Sequence, residues 1–158
     1  MTISANMQSK IDKITTLISE GYTLKKNGWV VDFRNSSGRP VNTFGFGSPA
    51  GFSWIAFFFP FAVCTQIKEW SYFYVSGVLF TAVSLLTGFL GLSSDSTGTY
   101  ASIGIGIFYG GIFPYLRLLA KQAGTEENSK AKSIFLGLFL AVVAAIPSII
   151  IDVLFESA

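Results

Sequence analysis

The chain has 158 residues, 51% apolar and only 13% charged, with a formal net charge of +2 and a mean hydropathy of +0.54. Soluble domains carry roughly 25% charged residues, so this composition points to a bilayer, and so small and scattered a net charge excludes a nucleic-acid surface. With no His, and Cys64 as the one cysteine, an internal disulfide, a Cys/His zinc cluster and a Ser-His or Cys-His nucleophile are excluded; no catalytic residue, metal or cofactor is expected.

Residues 1–48 are polar and lack the basic start, short apolar run and small-residue exit of a signal peptide, so the N-terminus is expected to be retained. Met7, Ile11, Ile14, Leu17 and Ile18 recur at the spacing of one helical face. Ser9 with Asp12 as a capping signal and Gly21 as a stop predict a helix from Ser9 to Glu20. Tyr22–Lys26 and Trp29–Arg34 flank Asn27-Gly28, a hairpin signal because both turn residues tolerate positive φ. That turn would pair Lys26 with Trp29, Leu24 with Val31 and Tyr22 with Phe33. Alternation then puts Tyr22, Leu24, Trp29, Val31 and Phe33 on one apolar face. Arg39–Phe46 could add a third strand. Such an α-β-β module is too small to be robust alone, and leans on the membrane domain as a structural cap or on a partner it recognises.

Residues 49–158 read as a helical membrane domain. Three stretches approach the roughly 20 residues a spanning helix needs: 72–92, 100–116 and 133–151. Gly51–Cys64 is shorter and carries Pro60 in its interior, which fits a re-entrant or interfacial segment. Trp54, Phe57, Phe58, Phe59, Pro60 and Trp70 form an aromatic motif suited to the headgroup zone. Short cytoplasmic loops are enriched in Lys and Arg. Four crossings strand five or six of the 11 basic residues on the wrong side, whereas three crossings with 51–64 folding back place all of them in the cytoplasm. The N-terminus is then cytoplasmic and Ala158 periplasmic.

Gly98, Ser102, Gly106 and Gly110 recur every fourth residue, with Pro114 next, a small-residue face for close helix packing within the monomer or a seam with a partner or second copy. Gly104 and Gly111 thin the same helix further. The expected spans hold no ionisable residue, which lowers the odds of a coupled transporter. Asp152 falls at the expected exit of the third span, Thr81, Ser84 and Thr87 are expected to bond back to their own helix, and Cys64 is expected to be buried.

The run Gly51-Phe52-Ser53-Trp54-Ile55-Ala56-Phe57-Phe58-Phe59-Pro60, with Lys68 and Trp70 after it, resembles small bacterial inner-membrane proteins of domain-of-unknown-function family 2628. The resemblance covers roughly residues 51–124, with Tyr109, Tyr115 and Arg117 in the position of the family's tyrosine-rich basic segment. Lys68 stands almost alone where that pattern has several basic residues. The family implies no activity, substrate or catalytic residue.

Two roles follow. The first is a non-catalytic inner-membrane protein acting by protein-protein contact, as an accessory subunit or a prophage superinfection-exclusion protein that blocks phage DNA entry. The alternative is an oligomeric channel or small-solute pore. The expected partners are the lipid bilayer and another membrane protein or a second copy (a homo-oligomer), with no direct nucleic-acid binding.

Overall fold

The apolar spacing near the N-terminus does build a helix, α1 (Ala5–Ser19). The computed structural model describes residues 3–92 and 94–156; the expected periplasmic end at Ala158 lies outside them. α1 starts four residues earlier than the sequence signals predict. Ser4, not Ser9, is its cap, accepting a hydrogen bond from the Met7 N–H at 3.3 Å. Met7, Ile11 and Ile14 are buried, and Gly21 (φ +95°) stops the helix as expected.

β1 (Thr23–Asn27) and β2 (Val30–Arg34) form a two-stranded antiparallel sheet. The register differs from the expected one by two residues, pairing Asn27 with Val30 and Leu24 with Phe33. The turn is Gly28-Trp29. Gly28 supplies the single positive φ (+61°) that a turn with Gly in its first central position requires, so Asn27 stays in the strand. A slip of two preserves the faces: Val31 and Phe33 are buried, and Tyr22 and Leu24 half-buried. Only Trp29 leaves that face. The third strand does not form. One bridge joins Arg34 to Pro40, flanked by bonds from the Asn35 N–H to Arg39 O at 2.9 Å and from the Val41 N–H to Phe33 O at 2.8 Å, and the chain then turns through Gly45–Gly47 instead.

Two short helices follow, α2 (Trp54–Phe58) and α3 (Pro60–Gln66), broken at Phe59, with Pro60 in the first position of α3, where its missing N–H costs nothing. The long apolar helices are α4 (Ser71–Leu90), α5 (Ser94–Gln122) and α6 (Lys130–Glu156). All three are long and apolar enough to cross a membrane. The second and third outrun the expected 100–116 and 133–151. α6 continues through Asp152, which therefore lies inside the helix and not at its exit.

α4 and α6 run parallel in one register. Gly77 lies against Ala144, where an added Cβ would meet the carbonyl oxygen at 3.0 Å, and Gly88 lies under the Phe155 ring. α5 runs antiparallel to both, with Tyr109 level with Tyr72 near the start of α4 (ring centroids 5.1 Å). Beyond that level α5 continues for 13 residues, about 20 Å at the helical rise. This extension is the platform for the N-terminal module: α1, both strands and the Gly45–Gly47 turn pack on it. Phe33 meets Tyr115 at 5.2 Å, and Ser48 Oγ is 2.9 Å from the Tyr115 hydroxyl.

α2 and α3 make a helical hairpin between the long helices. Phe52 and Phe57 cover Gly110 and Gly106, so α2 climbs α5 toward the bundle. α3 descends beside α6, from Phe61 against Gly137 to Thr65 and Gln66, whose carbonyls accept from Asn128 at 2.8 and 2.9 Å.

Candidate functional site

Two partly buried ion pairs fix the module and the hairpin to the bundle. Lys26 Nζ, on β1, donates to both oxygens of Glu69 at 2.9 and 2.7 Å, and Glu69 also accepts from the Ser71 hydroxyl and, at 3.3 Å, its N–H. The Glu69 carboxylate thus ties the sheet to the first turn of α4. Arg117 Nη2 donates to both oxygens of Glu127 at 2.9 and 3.0 Å, and Gln66 Nε2 to Glu127 at 3.3 Å, which ties the 123–129 connection to α5 and α3. Neither pair is legible in sequence, because the partners are 43 and 10 residues apart and each glutamate stands on irregular chain. Cys64 is fully buried as expected, and burial, reinforced by the Glu69 charge and opposed by Lys26, pushes its thiol well above the ordinary range.

The aromatic motif divides. Trp54, Phe58, Phe59 and Trp70 are exposed, whereas Phe57 is half-buried against Gly106 and Pro60 is buried. Trp29, Phe44, Phe46 and Tyr74, which the motif did not include, join the exposed set. Trp29 and Phe44 flank Phe108 at 6.1 and 5.9 Å, and Phe46 stacks near Phe52 at 4.3 Å and Trp54 at 5.7 Å. Phe58 reaches further along α5, beside Ser102 and Ile103, with Phe59 next to it at the tip of the hairpin, whereas the other rings gather around the level of Phe108–Gly110 and the first turn of α4. All 11 basic side chains belong to elements at or beyond that level on the module side.

The small-residue face also divides. Gly106 is covered inside the chain by Phe57 of α2, Gly110 by Phe52 just before that helix, and Gly111 by the backbone of 43–45. Gly98 and Gly104 have open space where a Cβ would stand, and Ser102 is exposed. Gly104 lies in an apolar groove of about 600 Å³ between α4 and α5, walled by Tyr74, Val78, Leu79 and Phe108 and closed at the module end by Trp29. Gly98 and Ser102 line a different, polar pocket further from the module, where Ser84, Ser148 and Asp152 converge. Thr81 and Thr87 bond back to their own helix as expected, through Gly77 O and Val83 O.

These features define a membrane-associated helical protein, with three helices able to cross a bilayer and a small α-β-β module seated on the protruding end of the middle one. Comparison with family models, curated proteins and solved structures gave no match, so the likeness of residues 51–124 to family 2628 rests on the aromatic motif alone.

Proposed function

We propose that this chain is a non-catalytic protein of the bacterial inner membrane that acts by contact with another membrane protein. The observation that carries this reading is the apolar groove between α4 and α5. In lipid, helices associate where small residues let backbones approach. Gly104 is the one glycine of the small-residue helix that sits uncovered in the floor of such a groove. A partner span laid there would meet Val78 and Leu79 on one side and Phe108 on the other. An accessory subunit of a larger assembly fits this reading, as does a prophage superinfection-exclusion protein whose contact stops phage DNA entry. The lack of His, and the burial of the one thiol, support a role without covalent chemistry.

The orientation follows from charge. The module end holds all 11 basic residues, whereas Asp95, Asp152 and Glu156 belong to the opposite end, so the module is cytoplasmic and the far end periplasmic. The exposed rings of Trp29, Phe44, Phe46, Trp54, Trp70 and Tyr74 then lie in the cytoplasmic headgroup layer, and the 51–64 hairpin dips in, with Phe58 and Phe59 at its tip, and returns. From the first turn of α4 to Leu90 is about 30 Å, the thickness of the hydrocarbon core.

A photocrosslinking residue at Leu79 tests the contact in living bacteria. It is expected to capture one discrete membrane protein or a second copy, with the product lost in Gly104→Leu and absent when the probe stands at Val142 on the exposed face of α6. Lipid adducts alone at both positions, together with unchanged susceptibility across a phage panel, would end this reading. Impermeant labels should find Lys68 and Lys121 on the same side of the membrane; opposite sides would reject the topology.

A further inference from the structure

We infer that the pocket at the end of the bundle remote from the module binds a small organic ammonium ion. Its volume is about 340 Å³, the lower end of the range for small-molecule sites. The lining brings Ser84 from α4, Gly98 and Ser102 from α5, and Ser148 and Asp152 from α6 to one place. Asp152 is the single carboxylate among them, and among the described residues no cation pairs with it. By the register of α4 with α6 it stands level with Leu85, five residues before α4 ends. A carboxylate at that depth in a helix bundle is costly without a partner.

The hydroxyls decide what kind of partner. Ser102 Oγ donates to Gly98 O at 2.9 Å, and Ser148 Oγ donates to Ala145 O at 2.8 Å. These two of the four lining hydroxyls (Ser84 and Thr99 carry the others) have committed their one proton to their own helix, so they offer the pocket only lone pairs. A carboxylate likewise offers only acceptors. An ammonium group, with one charge and three N–H donors, complements that lining, and Phe80 and Val83 supply an apolar wall for its carbon substituent. A bare metal ion fits poorly. No group of three metal-binding side chains exists among the described residues, and the space equals roughly ten water volumes. The field favours entry of a cation as well, since every Lys and Arg lies at the other end of the bundle. The ammonium can come from a free amine or from an ethanolamine headgroup of the adjacent leaflet.

Calorimetric titration of ethylammonium into the full chain, held in phosphatidylglycerol nanodiscs, tests the assignment. Saturable binding is expected, weakened about tenfold or more in Asp152→Asn through loss of a charge-assisted hydrogen bond. Ser102→Leu, which fills the pocket and leaves the carboxylate, should weaken it comparably. Discs of phosphatidylethanolamine separate the sources: undiminished binding marks a free amine as the ligand, and blocked binding marks the lipid headgroup. Carbodiimide modification of Asp152 in the unaltered protein is expected to slow when ethylammonium is present, a readout that needs no variant to fold. Absent saturation in phosphatidylglycerol, affinity unchanged in both variants, or no protection of Asp152 would each overturn the proposal.

Discussion

Replacing Gly111 with Ala should separate the N-terminal module from α5, whereas the same change at Gly104 should do nothing comparable. The two glycines are seven residues apart, hence on nearly the same face of one helix, two turns apart. At Gly111 a Cβ would meet the Gly45 backbone nitrogen, the Thr43 carbonyl oxygen at 2.8 Å and the Phe44 carbonyl carbon at 3.1 Å. All three are main-chain atoms, so no rotamer change relieves them; residues 43–45 must move away. Overpacking of this kind costs about 1–3 kcal/mol, and rigid neighbours put it at the upper end. Ala in place of Gly returns roughly 1 kcal/mol of helix propensity, leaving a net loss of about 2 kcal/mol. For a chain of this size that lowers Tm by about 4–8 °C. At Gly104 nothing lies within 4 Å, so only the propensity gain remains and Tm should hold or rise by a few degrees. Thermal unfolding of purified protein in detergent, followed by tryptophan emission, reads both, because Trp29 lies against Phe108 one turn away. Equal shifts in the two variants, or a Gly111→Ala protein as stable as the parent, would refute the seating of the module on α5.

The Cys64 thiol should resist maleimide in the folded protein and react once the chain is unfolded, as its burial and raised pKa require. Its titration also sets a sign. The folded thiol stays protonated where the unfolded one ionises, near 9.0, so stability should fall as pH rises above that value, by up to about 1.4 kcal/mol per pH unit. Cys64→Ala should remove that part of the slope in a melting series from pH 8 to 10.5. Glu69→Gln leaves Lys26 without a carboxylate and should cost about 1–3 kcal/mol in chemical denaturation, since Glu69 is buried and Lys26 partly solvated. Glu127→Gln should free the 123–129 connection from Arg117, seen as faster proteolytic cleavage there with little change in Tm.

How far the sequence reveals this structure depends on whether the deciding contact is local. The α1 face was readable because Met7, Ile11 and Ile14 repeat at helical spacing, but its start was not, since Ala5 and Asn6 carry no periodic signal and Ser4 caps as well as Ser9 would. The hairpin was readable from Gly28, although Asn-Gly suggested a turn one residue too early; Trp29 takes the turn position because its ring reaches Phe108. The expected third strand stops after one bridge, with Val41 the last residue to bond to β2. The break at Phe59-Pro60 was marked by the proline, and the exposure of Trp54, Phe58 and Phe59 by their aromatic type. The polar pocket stayed hidden, because Ser84, Ser102, Ser148 and Asp152 come from three helices whose mutual rotation no sequence window records.

The middle helix shows why an apolar run alone misplaces a membrane boundary. In the apolar window of α5, 67% of residues are buried within the chain, against 22% for α4 and 11% for α6. α4 and α6 are oily because lipid surrounds oily helices. The module-side half of α5 is oily for a second reason: Ile112, Phe113, Tyr115 and Leu116 form the core under α1 and β2. Protein core and lipid demand the same apolar side chains, so hydropathy cannot tell which one a helix face meets. Close approach can. Backbone laid directly on a helix requires glycine at the point of contact, as Gly111 accepts residues 43–45, and aromatic side chains laid on it require the same, as Gly106 and Gly110 accept Phe57 and Phe52. Gly104, uncovered two turns away from Gly111, marks where that self-contact ends and the surface open to a partner or to lipid begins.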